Sequence, residues 1–173
     1  MKFIVIGAGE VGDSLSAKLV QEEHDVVLVD QNESQLTRAA HSLDLQTVCG
    51  NGSSAATLIK AGLTDTDYVI AVTNSDEVNV TACLTSKMIN PSAKRIARLR
   101  YLDYKQNPLI NEKLADYFDL VVSPDIAAAN QVLQFFKLPG ARDVFELADG
   151  QLQVIGISLG PRSPLTKKRL QNV

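Results

Sequence analysis

Phe3-Ile4-Val5-Ile6-Gly7-Ala8-Gly9-Glu10-Val11-Gly12 is the stretch whose reading decides this fold. Phe3 to Ile6 is a continuous apolar run, the pattern of a strand buried on both faces. Gly7-Ala8-Gly9-Glu10-Val11-Gly12 follows at once and fits G-x-G-x-x-G. Val11, Leu15 and Leu19 recur at every fourth position, so a helix is expected to begin inside the motif. Val26 to Val29 reads as a second buried strand and ends on Asp30, close to the spacing of about 20 residues at which an acid meets a ribose hydroxyl. Strand, turn, helix, strand and acid together point to a dinucleotide or adenine-nucleotide site. The competing reading is a tight βα turn whose glycines serve close packing alone.

Each glycine has its own physical task in the nucleotide reading. Gly7 turns the chain off the strand, Gly9 keeps side-chain atoms away from a pyrophosphate, and Gly12 lets the helix lie close on the sheet. The unpaired N–H groups at the helix start then face the phosphates. Asp30 accepts hydrogen bonds from both ribose hydroxyls and repels a 2′-phosphate. Gln31, Asn32 and Glu33 offer no cation to hold one, so NAD(H) is favoured over NADP(H), with ATP or ADP as alternatives. Glu10 counts against tight pyrophosphate binding, because it adds a carboxylate where phosphate charge would lie.

The remaining chain repeats the alternation. Helices are expected at 33–42, with Leu36, Ala39, Ala40 and Leu43 on one face, after Ser53 or Ser54 up to Gly62, and at 76–89. Strands are expected at 45–49, 68–72, 95–99 and 120–122, and a short helix near 109–115. Alternating strands and helices imply parallel strands with right-handed crossovers. The fold class is therefore α/β, a Rossmann-like doubly wound parallel sheet of about six strands with helices on both faces. Ser123-Pro124-Asp125 signals another helix start. The helix 125–136 is apolar beyond a single stripe. Either it packs against another molecule or the C-terminal segment covers it.

After Leu138-Pro139-Gly140 the pattern changes to a hairpin, 143–147 and 151–159, around Ala148-Asp149-Gly150. Lys167-Lys168-Arg169 then opens what reads as a helix, and its charge reads as a solvated face. Domains are expected at 1–138, nucleotide-binding, and at 141–173, a linker and the start of a truncated α+β C-terminal domain. That second part is too short to form a core alone.

Composition narrows the classes of function. The chain has 173 residues, 45% hydrophobic and 21% charged, with net charge −3. That balance is ordinary for a globular protein and offers no basic surface for nucleic acid. No apolar run approaches the roughly 20 residues that span a bilayer, and the first residues do not read as a charged-then-apolar leader, so secretion is not expected. A cytoplasmic location without direct membrane insertion is expected. Cys49 and Cys83 read as buried thiols. His24 and His41 stand apart without partner ligands, so no metal site is expected.

These motifs resemble the RCK or KTN (TrkA-N) regulatory domains of potassium channels and transporters, including the cytoplasmic regulatory subunit of bacterial Trk potassium-uptake systems. The resemblance rests on Gly7 to Gly12, Val29-Asp30, Gly50-Asn51-Gly52-Ser53, Ala71 to Asn79 and Ile96-Ala97-Arg98-Leu99-Arg100. Ser163-Pro164-Leu165 is similar to the opening of the family's small ligand-sensing domain. The resemblance implies that Asn51, Gly52 and Ser53 lie beside adenine, and that Thr73 and Asn74 line the cleft. It also implies that Arg98 reaches phosphate, or else pairs with a surface acid. Asp76, Glu77 and Asn79 belong either to the cleft or to helix-capping chemistry. A homo-oligomer built through helix 125–136, a membrane partner subunit and a peripheral place on the inner membrane face follow from the same resemblance. The function it implies is nucleotide sensing that gates a transporter.

An NAD-dependent oxidoreductase is the alternative. Tyr101-x-x-x-Lys105 matches the Tyr/Lys pair of short-chain dehydrogenases, but those enzymes resemble G-x-x-x-G-x-G in their glycine spacing. No further catalytic grouping is evident in the sequence, so no catalytic residue is assigned.

Overall fold

Continuous Val, Ile and Leu runs put apolar side chains on both faces of the strands, and the sheet they form is covered on two sides. The computed structural model describes residues 1–100, 108–137, 141–147, 151–160 and 163. Strands β1 (Lys2–Ile6), β2 (Asp25–Asp30), β3 (Gln46–Cys49), β4 (Tyr68–Ala71), β5 (Lys94–Arg98) and β6 (Leu120–Val122) form one sheet. Its order is β3-β2-β1-β4-β5-β6, and every pairing is parallel. The connecting helices are α1 (Glu10–Gln21), α2 (Glu33–Ser42), α3 (Ala55–Lys60), α4 (Asp76–Ile89) and α5 (Pro108–Tyr117), with a 3₁₀ turn at Leu63–Asp65. This is the expected doubly wound sheet.

Alternation along β1 shows how the two faces divide. Phe3 and Val5 join Leu19, Leu36 and Ala39 of α1 and α2 in one core. Ile4 and Ile6 join Leu58, Leu63, Ala82 and Cys83 in the other. Strand order reverses between β1 and β4, and at such a switch point the loops after the two strands part and leave a crevice. Gly62 ends α3 in the left-handed region, φ 88°, as a C′ glycine does.

Three expectations need correction. The buried stripe of α1 is Gly12, Ser16 and Leu19, whereas Val11 is exposed. On α2, Leu36 and Ala39 are buried but Ala40 is exposed. Cys49 is also exposed, because β3 is the sheet's edge; Cys83 is buried, and burial pushes its thiol up to about 12.

Contacts divide the chain into two units, Met1–Pro124 and Asp125–Val173. The division precedes the helix that the sequence reading assigns to the first domain. That helix, α6 (Pro124–Lys137), leaves Val132, Leu133 and Phe136 exposed. Strands β7 (Ala141–Leu147) and β8 (Leu152–Ile157) form the expected antiparallel hairpin, and β8 exposes Leu152, Val154, Ile155 and Ile157. The residues Tyr101, Lys105, 138–140, 148–150 and 164–173 lie outside the described ones, so the dehydrogenase-like pair and the basic C-terminal stretch do too.

Candidate functional site

The crevice begins with the three motif glycines, and they differ in what holds them. Gly7 has φ +108°, which disfavours a side chain, and a Cβ there would lie 3.0 Å from the Thr73 amide nitrogen. Its N–H donates to the Val29 carbonyl at 2.8 Å. A Cβ on Gly12 would lie 1.7 Å from the Gly7 carbonyl oxygen, so α1 can start this close to β1 only with glycine there. Gly9 differs from both. As the N-cap of α1 it has ordinary extended angles, φ −73° and ψ −173°, and nothing lies within 4 Å of a Cβ added to it.

No side chain caps α1. The N–H groups of its first turn therefore lack the side-chain partner that α2 and α4 have, as do those of α3, whose N-cap Ser54 makes no cap bond. By contrast, Asn32 caps α2 by accepting from the Ser34 and Gln35 amides, and Ser75 caps α4 by accepting from the Val78 amide. Glu10 is exposed at the α1 start, and Asp13 adds a second acid in that turn.

Asp30 ends β2 beside this loop. Its Oδ2 accepts from the Ala8 N–H at 2.7 Å and its Oδ1 from the Asn32 N–H at 2.8 Å. The carboxylate thereby fixes the loop, and each oxygen keeps lone-pair capacity for a further donor. Across the strand pair, the Gly50 N–H donates to the Asp30 carbonyl at 2.9 Å. Asn51 turns inward on its own loop, accepting from the Ser53 N–H at 2.9 Å and the Ser53 hydroxyl at 2.8 Å. Gly52 packs on β1, and a Cβ there would lie 2.2 Å from Ile6 Cγ2.

The far wall is built by the ends of β4 and β5. Thr73 stands against Gly7, and the hydroxyl of Thr73 lies 2.7 Å from Asn79 Oδ1. Asn74 is held by Arg100, whose guanidinium donates to the Asn74 carbonyl at 3.0 Å and to its Oδ1 at 2.8 Å. Asp76, buried, accepts from the Arg100 N–H at 2.8 Å. Arg98 ends β5, half-buried, and its Nε is buried without a hydrogen-bond partner. The N-cap side chain of α4 is Ser75, and Glu77 accepts from its hydroxyl. Sequence reasoning left Asn79 open between cleft and helix cap and gave Arg100 no role; here Asn79 holds Thr73 and Arg100 holds Asn74.

A cavity of about 330 Å³ lies between these walls, lined by Gly7, Asp30, Gln31, Gly52, Thr73 and Asn74 together with Ile6, Val29, Gly50, Ser75 and Val78. Ala8, Gly9, Glu10, Val11, Gly12, Asn51, Ser53 and Arg98 are not among its lining residues. A larger hollow, about 740 Å³, opens at the other end of the strands around Phe3, His24, Asp25 and Asp44. Ligands of doubly wound sheets bind at the carboxyl ends of the strands, so the smaller cavity is the candidate site. Among the described residues, no group of His, Cys, Asp and Glu is placed to hold a metal ion, and no helix is long and apolar enough to cross a membrane.

Known proteins share this fold. Residues 3–124 match the TrkA-N domain. Trk system potassium uptake protein TrkA homolog 2 of Methanosarcina mazei is 37% identical over 100% of this chain and 39% of its own length. Trk system potassium uptake protein TrkA of Halomonas elongata is 34% identical over 98% of this chain and 37% of its own length. The chain thus spans about two fifths of these curated relatives, which are named as uptake proteins and not as enzymes. Among solved structures, the GsuK channel bound to NAD superposes with a TM-score of 0.66 at 18% identity, covering 86% of this chain and 25% of that one. GsuK bound to ADP gives 0.63 at 24% identity, covering 79% and 34%. At those identities the likeness speaks for the fold. The match over 3–124 takes in the glycine loop, Asp30 and the ends of β3, β4 and β5, and the chain belongs to the TrkA-N domain family.

Proposed function

We propose that the crevice binds an adenine nucleotide, with NAD(H) favoured and ATP or ADP as alternatives, and that its occupancy regulates a potassium transporter. The carrying observation is the start of α1. Its first turn is uncapped, Gly9 faces open space that the fold does not need, and Asp30 lies beside both. Gly7, Ala8, Gly9, Glu10, Val11 and Gly12 form the phosphate side of the site. Asp30 and Gln31 take the ribose, Asn51, Gly52 and Ser53 the adenine end, and Thr73, Asn74 and Arg98 the facing wall. The solved relatives bound to NAD and ADP support a nucleotide of this class.

The same reading assigns 1–138 to the nucleotide-binding domain and 141–173 to the start of a C-terminal domain. It makes the chain part of a cytoplasmic subunit attached to a membrane partner, acting by binding and not by catalysis. Helix α6, with Val132, Leu133 and Phe136 exposed, is the surface through which copies associate. Nucleotide shifts the oligomer only if it binds two arrangements with different affinity.

Thermal unfolding with NADH, NAD, ATP and ADP tests the site. A ligand that binds the folded state alone stabilises it by about 2.7 kcal/mol at a hundred times its Kd. A melting temperature unmoved by all four at millimolar concentration overturns the nucleotide reading. Light scattering tests the oligomer, and a monomer at every concentration removes the role of α6.

A further inference from the structure

Asn79, the fourth residue of α4, lies inside the protein and is 0% exposed. Every hydrogen-bonding site of its amide is used. Oδ1 accepts from the Thr73 N–H at 3.0 Å and from the Thr73 hydroxyl at 2.7 Å. Nδ2 donates to the Thr73 carbonyl at 3.2 Å and to the Arg98 carbonyl at 2.8 Å. Two acceptor lone pairs and two N–H groups are all that an amide offers. Asparagine is a poor helix former, so these bonds, and not local propensity, account for its place in α4.

The bonds have a direction. Three fix Thr73, which stands against the Gly7 turn. Because Gly7 opens the loop that leads to Gly9 and the start of α1, the position of Thr73 limits where that loop can sit. The fourth bond ties the same side chain to the end of β5. One buried amide thus joins the β1 turn, the β4 end and the β5 end. The Thr73 hydroxyl is committed within the protein, since it also accepts from the Ser75 N–H at 3.2 Å.

We infer that Asn79 is a positioning residue for phosphate recognition: through Thr73 it holds the glycine loop at the spacing that a nucleotide's phosphates require. The inference rests on the nucleotide reading above and names what within the protein sets that half of the site.

ADP and adenosine distinguish a positioning role from a structural one, because only ADP engages the loop with phosphate. Binding of each is measured by calorimetry on the unaltered chain, Asn79→Ala, Thr73→Val and the double variant. For Asn79→Ala, ADP affinity is expected to fall at least about tenfold and adenosine affinity less than about threefold. The double variant should bind ADP no more weakly than Asn79→Ala alone, since the effect runs through Thr73. Equal loss of both ligands overturns the inference, as do additive effects in the double variant. If Asn79→Ala does not fold, Thr73→Val carries the test, and ADP affinity equal to that of the unaltered chain refutes it. An unaltered chain that binds neither ligand overturns the nucleotide reading itself, whereas an unaltered chain that binds both while the variants lose neither overturns only the role of Asn79.

Discussion

Helices α1 and α4 follow the adjacent central strands β1 and β4 at the same carboxyl end of the sheet, yet their amino ends are finished in opposite ways. At α4, Ser75 accepts from the Val78 N–H and donates to Glu77 Oε2 at 2.6 Å, so the protein supplies the cap. At α1 the N-cap is Gly9, without a side chain, and the first-turn N–H groups face outward capacity that the fold leaves unused. Gly9 brings no capping side chain, whereas Asn32 and Ser75 bond the first turns of α2 and α4. On the proposed reading, α1 is the end that takes the ligand and α4 the end that holds its wall.

The most severe break of this contrast is Gly12→Ala. A Cβ placed 1.7 Å from the Gly7 carbonyl oxygen forces α1 away from β1. Overpacking of this kind costs about 1–3 kcal/mol and more where backbone must move. Denaturant unfolding should show a loss of at least about 3 kcal/mol, or no folded protein. A variant as stable as the unaltered chain would show that α1 does not need this close approach.

Gly9→Asp tests the same loop in the opposite sense. The N-cap geometry at Gly9 suits Asp, and replacing glycine by a good cap is worth a few tenths of a kcal/mol. Stability should therefore hold or rise slightly. NADH or ADP affinity should fall at least about tenfold, because the carboxylate occupies the N–H groups and repels phosphate. Retained affinity would show that phosphate is bound elsewhere.

Gly9 and Gly12 also mark how much could be read from sequence. Strands buried on both faces announce themselves as apolar runs, so β1, β2 and β4 were legible, and the glycine spacing located the crevice. The buried stripe of α1 was not, because Gly12 and Ser16 carry no hydrophobic signal while Val11 does. Cys49 was misread since its burial depends on β3 being an edge strand, which is a property of the sheet order. The role of Asn79, left open between cleft and cap, and that of Arg100, given none, were unresolved for a related reason. Their partners, Thr73, Arg98 and Asn74, come together only when β5 is laid beside β4, and no local pattern records that.

At the α4 end, Ser75→Ala removes the cap. Stability should fall by about 1 kcal/mol, read from denaturant unfolding. Ser75 also lines the cavity, so nucleotide affinity is measured beside stability, and a fall smaller than that of Gly9→Asp is expected. Binding lost together with the cap would erase the contrast between the two helix starts.

The smallest effect belongs to Glu77, the exposed partner of that cap. The Ser75 hydroxyl, and after it the Glu77 backbone N–H, hold its carboxyl below the usual glutamate range. A folded-state pKa below the unfolded value means stability present at neutral pH and lost as pH falls through the folded value. Glu77→Gln should therefore melt slightly below the unaltered chain at pH 7. The gap should close as the pH drops below the ordinary carboxylate range, because both proteins then carry an uncharged group there and all other titrations are shared. A gap that stays constant into acid would mean that the bond to Ser75, and not the charge, stabilises the start of α4. A reversed gap would mean that the carboxylate opposes the cap it touches.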